Sequence, residues 1–290
     1  MRFKRAFTRT VKPVEAQTTL EPSAGQPDHE APAQADLKAD LSRATQLGQF
    51  ELVYQPIIDI AGAEVLGWEA LIRWQHPAHG VVSPAEFIST AEGTGDILPI
   101  GQWVLNRACE DFSQTLGATG RSGTWVSVNI STRQLLQLDF ADTVRRELGR
   151  WGLEPGSLVL EVTEAALVTV TASAPGTLAS LRRDGVRVAL DNWGLDTSSL
   201  EGLPDLPVDI IKIDRSLVSA IGEAHSGMLE TIVALGSRLG LDMIAEGIEE
   251  LSELERVERF ARVAAQGYYI ALPMPAAQAG AFSLGSRAVR

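Results

Sequence analysis

The side chains in this sequence that could do chemistry are carboxylates and amides that end short apolar runs. For example, the run Val188-Ala189-Leu190 ends in Asp191. Oxygen ligands that meet at one place repel one another unless a cation is present. Hard divalent ions such as Mg²⁺ or Mn²⁺ prefer such an all-oxygen set. The same pattern recurs at Glu69, Asn129, Glu161, Glu246 and Gln266, with Glu164 just beyond one of these runs.

Two cationic side chains accompany these oxygen ligands. Lys212 lies in the apolar run DIIKID, and an ammonium among carboxylates stays charged and can face a phosphate oxygen. Arg73 lies four residues after Glu69, so on a strand it projects to the same side and offers a fork for phosphate. Oxygen ligands together with Lys and Arg indicate phosphoester chemistry. No His or Cys recurs at these positions, which disfavours zinc.

Alternating strands and helices must position these residues. Apolar runs of strand length alternate with segments of helical period, which indicates parallel strands joined by crossover helices. Eight such units predict an α/β fold, a TIM-like (β/α)₈ barrel, with reactive groups at the carboxyl ends of the strands. The predicted strands are 51–59, 64–73, 124–130, 157–163, 186–191, 208–213, 241–246 and 264–270. The predicted crossover helices lie within 102–117, 133–151, 174–184, 223–239 and 250–261.

One connection departs from this pattern. Only a few residues, around Ala61-Gly62-Ala63, separate the first two predicted strands. No crossover helix fits in so short a segment, so these two strands should pair antiparallel. We therefore predict a barrel whose first strand is antiparallel to its neighbours.

The chain divides into three predicted parts. Residues 1–36 are basic at the start and then rich in Pro, Ala and polar residues, which predicts a disordered tail or linker. A basic patch that contacts acidic lipid or another domain is the alternative for this segment. Residues 37–280 form the predicted barrel domain, and residues 281–290 a C-terminal tail.

Bulk composition excludes several classes of protein. The formal net charge of −12 argues against duplex nucleic acid as a partner. The single cysteine, Cys109, cannot form an internal disulfide, which fits a reducing compartment, and we expect a cytoplasmic protein. No run of 18 apolar residues is present, so no transmembrane segment is expected.

Seven blocks of this sequence, in order, resemble the EAL domain family of cyclic di-GMP phosphodiesterases and their catalytically silent relatives. The blocks are YQPIID, EALIRW, SVNIS, LEVTE, IKIDRSLV, AEGIE and QGYYIALPMP, between about Leu37 and Pro275. The resemblance implies hydrolysis of one phosphodiester bond of cyclic di-GMP to give linear pGpG. It further implies two bound ions, Mg²⁺ or Mn²⁺, and makes a homodimer an expectation.

The resemblance also implies a role for each matching residue. The first ion would be bound by Glu69, Asn129, Glu161 and Asp191. Asp191 would bridge the first ion and a second one. Glu246 and the residue at position 192, here Asn192, would help to hold the second ion. Lys212 would contact the attacking water or the phosphate, with Gln266 beside that water, so that Glu69, Lys212, Glu246 and Gln266 form the catalytic set. Gln55, Leu71 and Arg73 would hold the dinucleotide, and Glu164 would brace the loop after the fifth strand.

The loop after the fifth strand departs from the family pattern. The family reads D-D-F-G-T-G-Y-S-S-L, whereas residues 191–200 read DNWGLDTSSL. Asn192 keeps the shape of the second Asp but loses its charge, and an amide oxygen ligates a hard cation more weakly than a carboxylate. The segment Leu195-Asp196-Thr197 also lacks the loop glycine.

Three alternative functions are compatible with this departure from the family pattern. The chain is an active phosphodiesterase with reduced activity, a receptor that binds cyclic di-GMP without cutting it, or a module that acts through protein contacts. The retained ligand positions favour catalysis, whereas Asn192 and the altered 195–197 segment favour a silent domain. The neighbouring Trp193 could stack on a guanine or fill the family's Phe position as packing.

Overall fold

A single sheet of ten strands organises the chain. The structure is a computed structural model, and it describes residues 30–117, 123–174, 176–193, 206–219, 223–260 and 262–284. The strands are β1 (Phe50–Asp59), β2 (Glu64–His76), β3 (Gly80–Val82), β4 (Trp125–Asn129), β5 (Leu158–Thr163), β6 (Arg187–Trp193), β7 (Ile210–Ile213), β8 (Asp242–Ala245), β9 (Val263–Ala265) and β10 (Met274–Pro275).

Eight of these strands close into a barrel. Around the barrel the order is β1, β9, β8, β7, β6, β5, β4 and β2, and β2 pairs again with β1. Strand β1 is antiparallel to both of its barrel neighbours, while the other neighbouring strands of the barrel are parallel. The predicted TIM-like barrel with an antiparallel first strand is confirmed.

Helices surround the barrel and fill most of the connections between parallel strands. Among the described residues they are α1 (Glu30–Ala44), α2 (Pro84–Thr94), α3 (Ile97–Asp111), α4 (Thr132–Leu135), α5 (Phe140–Trp151), α6 (Glu164–Ser173), α7 (Gly176–Arg183), α8 (Arg215–Ser219), α9 (Glu223–Leu239), α10 (Leu251–Glu258) and α11 (Ala276–Gly280). A π-helical turn, Phe112–Leu116, continues α3. No helix in these described ranges is long and apolar enough to cross a membrane.

Several element boundaries differ from the sequence prediction, and two of the differences are large. The strand predicted over 264–270 ends at Ala265, and the chain turns at Gly267, which accepts backbone hydrogen bonds from Ile270 and Ala271. The backbone of Gly267 lies so close to Ile248 that a Cβ would sit 2.1 Å from its carbonyl oxygen. Helix α1 begins at Glu30, within the predicted tail, while residues 1–29 lie outside the described part of the chain.

A layer of apolar side chains fills the barrel at the amino ends of its parallel strands. Trp125 packs there with Ile57, Val159, Ala189, Ile210, Ile244 and Ala264. Gly67 faces the Trp125 ring, because a Cβ on Gly67 would lie 2.4 Å from a ring carbon. Side chains two positions further along a strand point to the same interior, so this floor lies directly beneath Glu69, Glu161, Asp191, Lys212, Glu246 and Gln266.

Cys109 is a core residue, as its position in an amphipathic pattern suggests. It lies in α3 with no exposed surface. Burial, and to a smaller extent the charge of Glu147, raises the pKa of its thiol to about 12. The thiol is therefore protonated and unreactive in the folded protein at neutral pH.

The contact between Gly67 and Trp125 predicts that Gly67→Ala destabilises the barrel. An added methyl group in a filled interior costs about 1–3 kcal/mol, and we expect urea unfolding to report a loss of that size. Gly149→Ala is the matched control, because no heavy atom lies within 4 Å of the added Cβ in α5 and alanine gains about 0.5–1 kcal/mol in a helix. Equal stability of the two variants would contradict the packing of the floor.

Candidate functional site at the carboxyl end of the barrel

A buried ammonium group lies at the centre of the polar layer. Lys212, on β7, is 1% exposed. Its Nζ lies 2.6 Å from Glu161 Oε2 and 2.7 Å from Glu246 Oε1. Glu69 Oε2 and Asp191 Oδ1 each lie 3.4 Å from the same nitrogen. One positive charge is therefore shared by four carboxylates from different parts of the barrel.

Amide side chains hold Glu69 in place. Gln266 Nε2 donates a hydrogen bond to Glu69 Oε2 at 2.5 Å, and Asn129 Nδ2 donates to Glu69 Oε1 at 3.2 Å. Gln266 Nε2 also lies 3.1 Å from Gln55 Oε1, while Gln55 Nε2 donates to the Ala271 carbonyl. These bonds join the antiparallel strand β1 to the polar layer of the parallel strands.

The shared charge shifts the pKa values of the buried groups in different directions. Burial raises the pKa of Glu161 well above its usual value, and the charge of Glu69 adds to the effect. Burial likewise raises the pKa of Glu246 to about 7, although Lys212 opposes the rise. Burial alone would raise the pKa of Glu69, but Lys212 and the two amide donors outweigh it and lower that pKa. The carboxylates raise the pKa of Lys212 against the effect of burial, so the ammonium stays charged.

Asn192 forms a local pair with Asp191. Its backbone φ is +52°, a left-handed conformation that Asn and Asp tolerate better than most residues. Its Nδ2 donates a hydrogen bond to Asp191 Oδ2 at 2.7 Å. A carboxylate at this position would have no N–H group to donate to Asp191, and two adjacent carboxylates would need a cation to offset their repulsion. The Asn192 amide removes that need by donating a hydrogen bond.

The donor set fits a hard divalent cation. Among the residues that the structure describes, three polar atoms in the barrel interior are buried without a hydrogen-bond partner: Glu161 Oε1, Ser127 Oγ and Gln266 Oε1. An unpaired buried carboxylate oxygen is costly, and a cation bound by oxygen ligands would satisfy it. Within the described ranges no three His, Cys, Asp or Glu side chains form a preassembled metal site, and the Lys212 ammonium lies within 3.4 Å of all four carboxylates.

Several predicted residues lie outside this cluster. Leu71 follows Glu69 on β2 and lines a separate cavity of about 340 Å³ together with Asn129. The Arg73 guanidinium donates to the Ile72 carbonyl at 2.8 Å. Glu164 begins α6, but the loop that it is predicted to brace, including Leu195-Asp196-Thr197, falls outside the described residues. Trp193 is 2% exposed, so it packs in the core and its ring is not available for stacking.

The mouth above the cluster contains charged residues that the sequence prediction does not include. A cavity of about 450 Å³ opens over Glu69, Glu246 and Gln266. Arg215 lines it and donates a hydrogen bond to Glu249 at 2.5 Å. The signal for Asp214, Arg215, Gly247 and Glu249 is their position just after a predicted strand end, whereas Gly267 and Tyr268 lie within a predicted strand. The additional lining residues are Asp214, Arg215, Gly247, Glu249, Gly267 and Tyr268.

Comparison with known proteins identifies the family. A model described as the EAL domain matches residues 38–273. The chain belongs to the EAL domain family. A bifunctional diguanylate cyclase/cyclic di-GMP phosphodiesterase of Pseudomonas aeruginosa, MucR, is 37% identical over 251 residues, 86% of this chain and 36% of MucR. The cyclic di-GMP phosphodiesterase NbdA of the same species is 36% identical over 249 residues, 85% of this chain and 32% of NbdA.

Solved structures of EAL domains share this fold. The phosphodiesterase of PaMucR in complex with c-di-GMP has a TM-score of 0.78 and 36% identity, covering 84% of this chain and 99% of that one. The FimX EAL domain of Pseudomonas aeruginosa bound to c-di-GMP has a TM-score of 0.74 and 25% identity, covering 82% of this chain and 96% of that one. The chain thus matches whole EAL domains but spans only 36% and 32% of MucR and NbdA.

The charge balance around Lys212 predicts a large loss of stability in Lys212→Met. Removing one partner of a buried ion pair costs about 3–5 kcal/mol, and here four carboxylates lose their shared counter-charge. The loss should shrink as the pH falls from 8 to 5, because burial raises the pKa values of Glu161 and Glu246, and these two carboxyl groups no longer need the counter-charge once they are protonated.

Chemical unfolding at several pH values measures this loss, with Lys38→Met as the control. Lys38 is exposed on α1, and its replacement should change the free energy of unfolding by less than about 0.5 kcal/mol. A Lys212→Met variant as stable as Lys38→Met at pH 8 would show that the ammonium does not neutralise the cluster.

Proposed function

We propose that this chain hydrolyses cyclic di-GMP to linear pGpG. The observation that carries the proposal is the cluster of four carboxylates around the Lys212 ammonium at the carboxyl end of the barrel, beneath an open cavity. The names of MucR and NbdA, which are cyclic di-GMP phosphodiesterases, supply the substrate class. In the reaction, water adds its oxygen to phosphorus, one phosphorus–oxygen bond to ribose breaks, and the released ribose oxygen takes up a proton.

The proposal includes two divalent ions, Mg²⁺ or Mn²⁺. Glu69, Asn129, Glu161 and Asp191 would hold the first, and Asp191, Asn192 and Glu246 the second. Such ions lower the pKa of water and neutralise charge on a transferring phosphoryl group. The unpartnered Glu161 Oε1 supports a cation within the barrel.

The remaining polar residues would position the reactants. The Lys212 ammonium stays charged and would stabilise negative charge on the phosphate or orient the attacking water. Glu246, with a pKa of about 7, can take up or release a proton at its carboxylate near neutral pH. Gln55, Leu71 and Arg73 would hold the dinucleotide, while Gln266, bonded to Glu69, would orient the water.

A silent receptor of cyclic di-GMP is the second candidate function. The hydrogen bond from Asn192 to Asp191 favours it, because the pair is satisfied without a cation and carries one negative charge fewer. A receptor of this kind would keep the dinucleotide contacts and lose hydrolysis. A module that acts through protein contacts, a homodimer and a cytoplasmic location stay predictions of the sequence.

An assay with purified protein, cyclic di-GMP and Mg²⁺ or Mn²⁺ tests the proposed reaction. We expect pGpG to form in the wild type, and Glu69→Ala to lower the rate by at least about 10²-fold, as loss of an electrostatic group in an active site does. Glu258→Ala, an exposed residue at the end of α10, is the control and should keep the wild-type rate.

Binding separates the two candidate functions when hydrolysis fails. Calorimetric binding of cyclic di-GMP without pGpG formation would make the chain a receptor. If Asn192→Asp then hydrolyses cyclic di-GMP, this one amide is the cause of the missing hydrolysis in the wild type. Absence of both binding and hydrolysis would contradict both proposals and leave a protein-contact module.

The pairing of Asn192 predicts how many metal ions bind tightly. We expect titration calorimetry with Mn²⁺ to show one tight and one weak site in the wild type, and the weak site to tighten about tenfold in Asn192→Asp, because ligand charge sets affinity for hard ions. Gln278→Glu adds the same charge at an exposed position on α11 and should leave both sites unchanged. Two equally tight sites in the wild type would show that the amide does not weaken the second site.

A further inference from the structure

A third cavity opens at the opposite end of the barrel from the candidate site. Its volume is about 580 Å³, and its lining includes the first residues of β4, β6, β8 and β9, which are Trp125, Arg187, Asp242 and Val263. The amino ends of the parallel strands therefore form its base, whereas Lys212 and its carboxylates lie towards the carboxyl ends. A cavity of this size is in the range that holds small organic ligands.

Arg187 brings a guanidinium with one long ion pair into this cavity. Its side chain is only 28% exposed, and the closest carboxylate, that of Asp242, lies 3.9 Å away. The guanidinium stacks over the Trp125 ring, 5.1 Å from its centroid, but it donates no hydrogen bond to any residue that the structure describes. A guanidinium carries five N–H donors in a planar fork, and burial of such donors without acceptors costs free energy.

The remaining walls of the cavity combine apolar surface with one more cation. Val65, Leu66 and Ile244 contribute apolar surface, and the exposed Arg262 lies at the rim. The Asp59 carboxylate, also at this end, accepts hydrogen bonds from the backbone nitrogens of Ala61 and Gly62, both at 3.1 Å. These bonds offset part of the negative charge of Asp59. The Asp242 carboxylate, 3.9 Å from the Arg187 guanidinium, is the main source of repulsion for an anion, and the Arg262 guanidinium adds a second positive charge that opposes it.

We propose that this cavity binds a small organic anion. A phosphate or carboxylate group would accept two hydrogen bonds from the Arg187 fork, and an apolar body would lie against Val65, Leu66 and Ile244. Phosphate and carboxylate both present two oxygens that the Arg187 fork can bind. Arg187 therefore selects the anionic group of the ligand, and the apolar wall selects the organic body attached to that group. This site is independent of the proposed hydrolysis, because its lining includes none of the residues around Lys212.

Ligand-observed NMR titration of the full chain with phenyl phosphate tests the proposal, with benzoate as the carboxylate probe and phenol as the uncharged one. We expect phenyl phosphate or benzoate to bind at least tenfold more tightly than phenol. Arg187→Gln should weaken the anion at least tenfold, and Arg187→Lys, which keeps the charge but not the fork, should weaken it less. Arg183→Gln is the control, because Arg183 is exposed on α7 and donates to the Ala179 carbonyl in its own helix.

The outcomes separate this site from the candidate active site. An anion bound at the mouth would keep its affinity in Arg187→Gln, and equal affinity in that variant would therefore overturn the proposal. Failure of both anions to bind the wild type at 10 mM would overturn it as well. If thermal unfolding shows that Arg187→Gln does not fold, Leu66→Trp, which fills the cavity from its partly exposed wall, replaces it and should abolish binding.

Discussion

The structure depends on one buried positive charge. An ammonium inside a closed barrel is tolerated only when close partners compensate its loss of hydration, and Lys212 obtains them from four carboxylates at 2.6–3.4 Å. These partners come from β2, β5 and β6 and from the residue after β8. The barrel must therefore close with its strands in one register, since a shift by one residue would turn a carboxylate out of the interior.

The apolar floor sets the height at which this charge cluster forms. Trp125 fills the interior because Gly67 leaves room for its ring, and the ring lies two residues below the polar layer along its own strand. The floor thus separates the two ends of the barrel, and each end places a cationic side chain in different surroundings. Carboxylates surround an ammonium at one end, and a guanidinium lies in an open cavity with mixed polar and apolar walls at the other.

Much of this arrangement can be predicted from local patterns. Polar residues that end apolar runs locate Glu161, Asp191 and Lys212 on a common edge, and the short connection near Gly62 predicts the antiparallel first strand. Contacts between distant segments are not encoded in such patterns. The end of β9 at Ala265 depends on the close approach of Gly267 to Ile248, and the Arg215–Glu249 pair at the mouth depends on the spacing of two loops.

We propose that the carboxylates around Lys212 form a divalent-cation site. Anomalous diffraction from crystals grown with Mn²⁺ is the sharpest test, because it locates the ion without requiring turnover. We expect a manganese peak in the barrel beside Glu69, Glu161 and Asp191. Crystals that show no manganese there, with the Lys212 ammonium still between the carboxylates, would identify the cluster as a purely structural ion network.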